Sequence, residues 1–563
     1  MSEHACKPIS EIAQQLDLPK EYVEPHGHNK AKVHLDVLKG RQRREGSKYV
    51  LVSAITPTPL GEGKTTTTIG LGMALSQLGH KSCVNLRQSS LGPAFGIKGG
   101  GAGGGLSKVI PLEESILHVT GDIHAISQAH NQIAALADAS LFHDNPLNMN
   151  PEQIQIRRVV DVNDRCLREV TIGQGKRING VERATGFDIS VASELMAILA
   201  LVDGQSQKEA LLDLRARIGK MVVAFDHDGN PVTADDLKSA GSATVIMKET
   251  LKPTLMQTTE GTPAFLHAGP FANIAHGNSS ILADRLALNF ADVVVTEAGF
   301  GADIGGEKFF NIKCRASGLV PDVAVLVTTI RALKSHSGAF DIKPGKPLPE
   351  ELTHENTDHV TAGATNMVAQ IKNLQKFGIP VVVALNHYPD DHESEVSVVR
   401  QMAQKAGAVD FAVSKVFGEG GKGGLELAEK VMAACDLPKE FKLLYPDEMN
   451  IRDKIRTLAQ EIYGADDVSF EDIAGAQIDQ FEKAGFGNLP ICMAKTHLSL
   501  SHDPKLKGAP SGFTFPIREV RASAGAGFIY PLAGNMRTMP GLGKSPAAHQ
   551  IDIDEDGNVV GLF

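Results

Sequence analysis

YVLVSAITPTPLGEGKTTTTIGLGMALSQLGHKSCVNLRQ, residues 49–88, decides the fold. Its opening run from Tyr49 to Thr56 is apolar and β-branched and is closed by Pro57 and Pro59, the pattern of a buried strand. A glycine-rich turn follows. Then comes a helix with Ile69, Met73 and Leu78 at helical spacing and Gly79 as its stop. Residues 82–88 read as a second strand. Strand, helix and strand in this order form a βαβ unit, and such units build mostly parallel sheets.

Between strand and helix lies Thr58-Pro-Leu-Gly-Glu-Gly-Lys-Thr65. A loop in this position aims backbone N–H groups and a helix N-terminus at one point, which suits phosphate oxygens. Thr58, Pro59, Leu60, Gly61, Glu62, Gly63, Lys64 and Thr65 are therefore expected to cradle a nucleotide. Lys64 would reach its terminal phosphates, and the Thr65 hydroxyl would sit near Mg²⁺. Thr58 stands where the usual phosphate-loop pattern has its first glycine, and Gly61 and Gly63 supply the flexibility instead. Four threonines, Thr65 to Thr68, open the helix although β-branched residues are poor helix formers. Hydroxyls wanted for an anion explain them, as does simple capping.

Working outward, similar strands recur at 292–298, 322–329, 380–386 and 409–417, with helical patterns at 359–376 and 394–406. The expected fold class is α/β: a P-loop NTPase-like, mostly parallel sheet with helices on both faces, plus smaller additional domains. Residues 1–345 form the expected nucleotide-binding domain, with an insertion at about 145–250 that carries GQGKRING. A second α/β domain is expected at 346–460 and a smaller C-terminal one at 461–563, with a helix near 468–484. Residues 8–48 read as an arm ending in a solvated basic run, Arg41, Arg43 and Arg44.

Arg87 ends the second strand, on the edge where α/β sheets place their sites. Seven of the ten residues 96–105 are glycine. That density suits backbone approaching a ligand closely, a loop that moves, or a flexible linker. Lys64, Arg87 and Mg²⁺ together would let a carboxylate attack ATP, since positioned cations offset the repulsion of two anions. An acyl phosphate is the natural product of such a site.

Composition sets the boundaries. The 563 residues are 42% hydrophobic and 22% charged with a net charge of −10, which suits a globular protein and argues against a nucleic-acid partner. The N-terminal residues lack a secretory pattern and no stretch approaches the roughly 20 apolar residues of a membrane span, so no membrane partner and a cytoplasmic location are expected. Six cysteines include no C-x-x-C pair, which points to buried free thiols.

Long motifs now carry a resemblance. ITPTPLGEGKTTTTIGL (55–71), SLGPAFGIKGG (90–100), HVTGDIHAI (118–126) and TEAGFGADIGGEKFFNIKCR (296–315) resemble those of formate–tetrahydrofolate ligases. So do GGKGGLELA (420–428), MAKT (493–496) and AGAGFIYPLAGNMRTMPGLGKSPAA (524–548), so the likeness runs nearly end to end. It implies a monofunctional enzyme that forms formyl phosphate from ATP and formate and passes the formyl group to tetrahydrofolate. It also implies Mg²⁺, activation by K⁺ or NH₄⁺, and a homotetramer. Lys64, Thr66 and Arg87 would contact formyl phosphate, with Lys64 and Arg87 catalytic. Gln88, Phe300, Tyr388, Pro389 and Phe417 would take the folate. Departures are visible: Gln88 replaces a Glu of some members, Tyr388-Pro389 replaces Phe-Pro, and Phe417 stands where some have Trp. His497 and Leu498 differ from a common Gln-Tyr.

Three polar residues are weighed beside these. Asp122 and His124 lie near the glycine-rich loop, in a run where His118, His124 and His130 are spaced too widely for a helical metal site. Asp303 follows Phe300 and could orient a ligand or a metal. Two other functions compete: a nucleotide-switched partner-binding protein, and a carboxylate–amine ligase for a different acid.

Overall fold

The computed structural model describes residues 6–96, 102–340, 342, 348–534 and 536–562. Ile97–Gly101, half of the glycine-rich stretch 96–105 expected to approach a ligand, and Asn535 of the C-terminal motif lie outside them.

Twelve strands build the main sheet. In chain order they are β1 (Val23–Pro25), β2 (Ala31–Val33), β3 (Lys48–Ala54), β4 (Ser82–Leu86), β5 (Gly103–Gly104) and β6 (Ser107–Ile110). After a long excursion come β7 (Thr254–Thr258), β8 (Pro263–Leu266), β9 (Val293–Glu297), β10 (Val323–Thr328), β11 (Val381–Asn386) and β12 (Asp410–Ser414). Across the sheet the order is β1-β2-β7-β8-β4-β9-β3-β10-β11-β12, with β5 and β6 joined at β7. From β8 to β12 every neighbouring pair is parallel, whereas the β1, β2 and β7 edge is antiparallel.

Burial on both faces explains the unbroken apolar runs. Val50, Val52, Val293, Val295, Val323 and Val325 point to one face and pack with Leu71, Ala74 and Leu75 of helix α2 (Lys64–Gln77) and with Leu427 and Val431. Leu51, Val294, Ala324 and Leu326 point to the other, against Leu282, Leu286, Phe309, Ile371 and Leu374. Helices therefore cover both faces of a mostly parallel sheet.

The segment read as an arm is built into this core. Ile9, Ile12 and Ala13 of α1 (Ile9–Gln15) are buried, and β1 and β2 extend the sheet. Apolar residues at Leu16, Leu18, Leu35, Val37 and Leu38, scattered among charges, supply the buried side. The basic run is exposed yet engaged: Arg44 pairs with Asp292 at 2.8 Å and Arg43 with Asp322 at 3.0 Å.

Residues 346–460 donate β11 and β12 to the same sheet, so the division near 345 does not separate two sheets. The excursion between β6 and β7 holds short strands and the helices Glu194–Leu201, Gln207–Gly219 and Ala240–Met247 beside the long helix Asp122–Phe142. Near the C-terminus, strand Asp467–Phe470 precedes the helix Asp472–Lys483, and Glu519–Ser523 pairs with Phe528–Leu532. Among the described residues no disulfide joins the cysteines; Cys83, Cys314, Cys435 and Cys492 are buried, as expected, whereas Cys6 is half-buried and Cys166 exposed. No helix among the described residues is long and apolar enough to cross a membrane.

Candidate functional site

The phosphate loop connects β3 to α2 (Lys64–Gln77) at the carboxyl edge of the sheet. Gly61 and Gly63 both have φ of +75°, a left-handed geometry that disfavours side chains, and Gly63 caps the helix start. Glu62 turns inward: one carboxylate oxygen accepts from the Thr58 N–H at 2.7 Å and from its hydroxyl at 3.0 Å. Burial pushes this carboxyl above its usual range. The turn is thus tied internally, with the Leu60 N–H bonded to the Thr58 hydroxyl at 3.3 Å and the Gly61 N–H to the Thr58 carbonyl at 3.2 Å, while residues 61–66 border the open space.

The threonine run divides its work. Thr67 bonds the Gly63 carbonyl at 3.0 Å and Asn386 at 2.8 Å, and Thr68 bonds the Lys64 carbonyl at 2.9 Å. Thr65 donates to Glu297 at 2.8 Å. Thr66 lines the open space on both sides of the loop. Capping and ligand-facing roles therefore coexist in four consecutive residues.

Lys64, Thr65, Thr66, Arg87, Gln88, Glu297 and Phe300 line one cavity of about 460 Å³, with Phe271 and residues 61–63. Lys64 makes no ion pair among the described residues. Burial lowers its affinity for a proton, partly offset by the fields of Glu62 and Glu297, and the Arg87 charge adds to the lowering. Arg87 donates to the Pro270 carbonyl at 3.2 Å, its Nε is buried without a partner among the described residues, and burial pushes its guanidinium down as well. A Cβ on Gly299 would stand 2.8 Å from that guanidinium, so only glycine fits there. Two desolvated cations and a helix N-terminus consequently converge on one space, the arrangement that binds phosphate.

Phe300 has φ of +58°, uncommon for a side chain of this size and a sign of local strain. Gly299 and Gly301 flank it, and its ring lies 6.3 Å from Phe271 and 5.3 Å from His497. Burial, then the charges of Lys495 and Lys64, hold the His497 imidazole below its ordinary range, so it is neutral at pH 7.

On the far side of the loop a second cavity, about 510 Å³, is lined by Asn386, His387, Tyr388, Pro389, Lys415 and Phe417. It shares Glu62, Gly63 and Thr66 with the first. Phe417 is 64% exposed, and the Arg331 guanidinium sits 4.2 Å above the Tyr388 ring. Phe300 thus stands in one cavity and Tyr388, Pro389 and Phe417 in the other, meeting across the loop edge.

Several expected residues lie elsewhere. Thr58, Pro59 and Leu60 line neither cavity. Asp122 is buried, accepting from Gln88 at 2.6 Å and pairing with Lys32 at 2.7 Å, so it positions Gln88 from behind. His124 bonds His118 at 2.7 Å in a small separate recess with Asp161. Asp303 is held by Lys495 at 2.7 Å and Gln370 at 2.6 Å, beneath Phe300.

Two site residues escaped the sequence reading. Glu297 ends β9 one bond from Thr65, and Asn386 ends β11 and donates to the Glu62 carbonyl at 2.7 Å. A polar residue closing an apolar strand run was the available signal. Mg²⁺ usually takes one or two protein oxygens beside substrate phosphates. The Thr65 hydroxyl and Glu297 carboxylate supply such hard oxygen ligands, so the residues present fit that ion.

These features define a mixed α/β protein with an anion-accepting cavity at the carboxyl edge of its parallel strands. A family model described as formate–tetrahydrofolate ligase matches residues 1–563. The formate–tetrahydrofolate ligase of Chloroflexus aurantiacus is 63% identical, over 100% of this chain and 99% of its own. Those of Herpetosiphon aurantiacus, 62% identical over 100% and 99%, and Desulforamulus reducens, 55% identical over 100% and 98%, are also similar. The chain belongs to the formate–tetrahydrofolate ligase family. It is accordingly a ligase, and its reaction is the ATP-dependent formylation of tetrahydrofolate.

Proposed function

We propose that this ligase works through formyl phosphate, made at Lys64 and Arg87 and consumed in the same cavity. The convergence of these two unpaired cations carries the reading. A formate oxygen attacks the terminal phosphorus of ATP; an O–P bond forms and the bond to the ADP oxygen breaks. Lys64, Arg87 and the loop N–H groups hold the charge on the phosphoryl oxygens as it moves. Mg²⁺ held by Thr65 and Glu297 would supply further neutralisation. The N10 amine of tetrahydrofolate then attacks the formyl carbon. A C–N bond forms, phosphate leaves with the C–O electron pair, and the amine loses its proton.

Gln88 and Phe300 take the folate on one side of the loop edge, and Tyr388, Pro389 and Phe417 on the other. Flat rings at Phe300 and Phe417 suit a pterin. A homotetramer, a cytoplasmic location and activation by K⁺ or NH₄⁺ complete the proposal.

Isotope transfer tests it. With ¹⁸O-formate, ATP, Mg²⁺ and tetrahydrofolate, the released phosphate should carry label, as seen by mass spectrometry. Formylation without label in phosphate would exclude the intermediate.

A further inference from the structure

A cluster of arginines lies behind the helix Leu91–Gly96, whose other side borders the first cavity. Arg165 opens a short 3-10 turn, Arg165–Leu167, whose start is capped by Asp164 accepting from the Cys166 N–H at 2.9 Å. The chain segment 536–542 crosses this turn. Arg165 donates to the Leu542 carbonyl, and Arg168 donates through Nε to the Met539 carbonyl at 3.0 Å. Arg537 stands in the same segment, exposed.

None of these three guanidiniums makes an ion pair among the described residues. Their neighbours behave differently. Arg158 pairs with Asp138 at 2.9 Å and Arg183 with the same carboxylate at 2.8 Å. Two of the three forks are fixed by neutral main-chain carbonyls, so their positive charge remains available. The charges also feel each other: partial burial, then the fields of Arg537 and Arg165, push the Arg168 guanidinium down.

Helix α3 (Leu91–Gly96) connects this cluster to the cavity. Ser89, Ser90 and Pro93 line the cavity wall. The other side of α3 rests on the arginine turn: a Cβ on Gly92 would come 2.6 Å from Asn163, and one on Gly96 would come 3.6 Å from Leu542. One helix, about 10 Å across, thus separates the reacting space from the arginines. A pterin seated at Phe300 must project its aminobenzoyl-glutamate out of the cavity. Each further γ-linked glutamate adds one carboxylate. Guanidinium forks match carboxylates, and a protein with net charge −10 needs a local positive surface to hold a polyanion.

We infer that Arg165, Arg168 and Arg537 form a subsite for the carboxylates of the folate's glutamate tail. This inference rests on the folate placement proposed above. It makes these residues determinants of substrate length, with no part in the chemistry.

Initial rates with tetrahydropteroyl-monoglutamate and -triglutamate test it. Arg537→Glu breaks no side-chain hydrogen bond among the described residues, and Arg165→Ala/Arg168→Ala/Arg537→Ala removes the cluster. The single variant should raise KM for the triglutamate about tenfold, the effect of one lost charge-assisted contact. It should leave kcat and the KM values for ATP, formate and monoglutamate unchanged. The triple variant should abolish the preference for the longer tail, and rising ionic strength at constant potassium should weaken that preference in the unmodified enzyme. An unchanged triglutamate-to-monoglutamate ratio in both variants overturns the inference, as does a rise in KM for ATP alone. Calorimetric binding of pteroyl-triglutamate needs no turnover. Tail-dependent affinity lost in the variants supports the subsite even if formylation itself fails, and its absence in the unmodified enzyme overturns it.

Discussion

Two sets of cations, one fully buried and one half-buried at a cavity, are treated in opposite ways in this molecule. Beneath the sheet and around it, Lys313 meets Asp284, Lys334 meets Glu395 at 2.7 Å, Lys495 meets Asp303 at 2.7 Å and Lys32 meets Asp122 at 2.7 Å. At the glycine-rich loop, Lys64 and Arg87 face a cavity and make no ion pair among the described residues, and Arg87 Nε has no hydrogen-bond partner among them. The first set is neutralised in place and fixes the core. The second holds its charge ready for a ligand, and the protein accepts a cost in the empty state. A buried unpaired charge weakens a fold unless something answers it.

Replacing charges one by one sharpens the contrast. Lys64→Met should lower the rate of formyltetrahydrofolate formation by about 10³ or more, since the lost cation faces developing phosphoryl charge. The same variant should melt no lower than the unmodified enzyme without ligands; a clear drop in that melting temperature breaks the comparison. Lys313→Met should do the reverse. It strands Asp284 and should cost roughly 3–5 kcal/mol of unfolding free energy in denaturant titration. Turnover per folded molecule should stay near normal.

A smaller effect follows from answering the loop charges with a ligand. ADP with Mg²⁺ at about 100 times its Kd should stabilise the fold by roughly 2.7 kcal/mol in calorimetry. In Lys64→Met this gain should shrink sharply, and an undiminished gain would place the nucleotide elsewhere.

The last test concerns a buried carboxyl away from the loop. Burial pushes Glu307 up to about 7 from 4.5, and Asn311 donates to it at 2.7 Å. The folded state holds that proton more tightly than the unfolded chain. Stability from this group is therefore complete below about pH 4.5 and is lost as pH rises through 7. The loss is on the order of 3 kcal/mol. Glu194, also pushed up to about 7, acts in the same window. Melting curves from pH 4.5 to 8 should flatten in Glu307→Gln by about half; an unaltered slope would assign the effect to other groups.

The sequence disclosed local order well. β3, β4, β9, β10 and β11 fall within two residues of their expected bounds, because short β-branched runs buried on both faces declare themselves without knowledge of neighbours. Lys64, Thr65, Thr66 and Arg87 share a cavity because the turn and the strand end are local features. What escaped was long-range pairing. Glu297 reaches Thr65 across 232 positions, and Asn386 reaches Thr67 across 319. No periodicity encodes which strand ends become neighbours. For the same reason nothing in the local pattern separated Phe300 from Tyr388 and Phe417, or joined β1 and β2 to the sheet.

The central strand has a further consequence for how the molecule is made. Val50 of β3 pairs with Val295 on one side and Val323 on the other. A ribosome adding roughly 5–20 residues per second leaves that valine-rich strand without either neighbour for tens of seconds. Throughout synthesis of the intervening chain, a hydrophobic ribbon awaits its flanks.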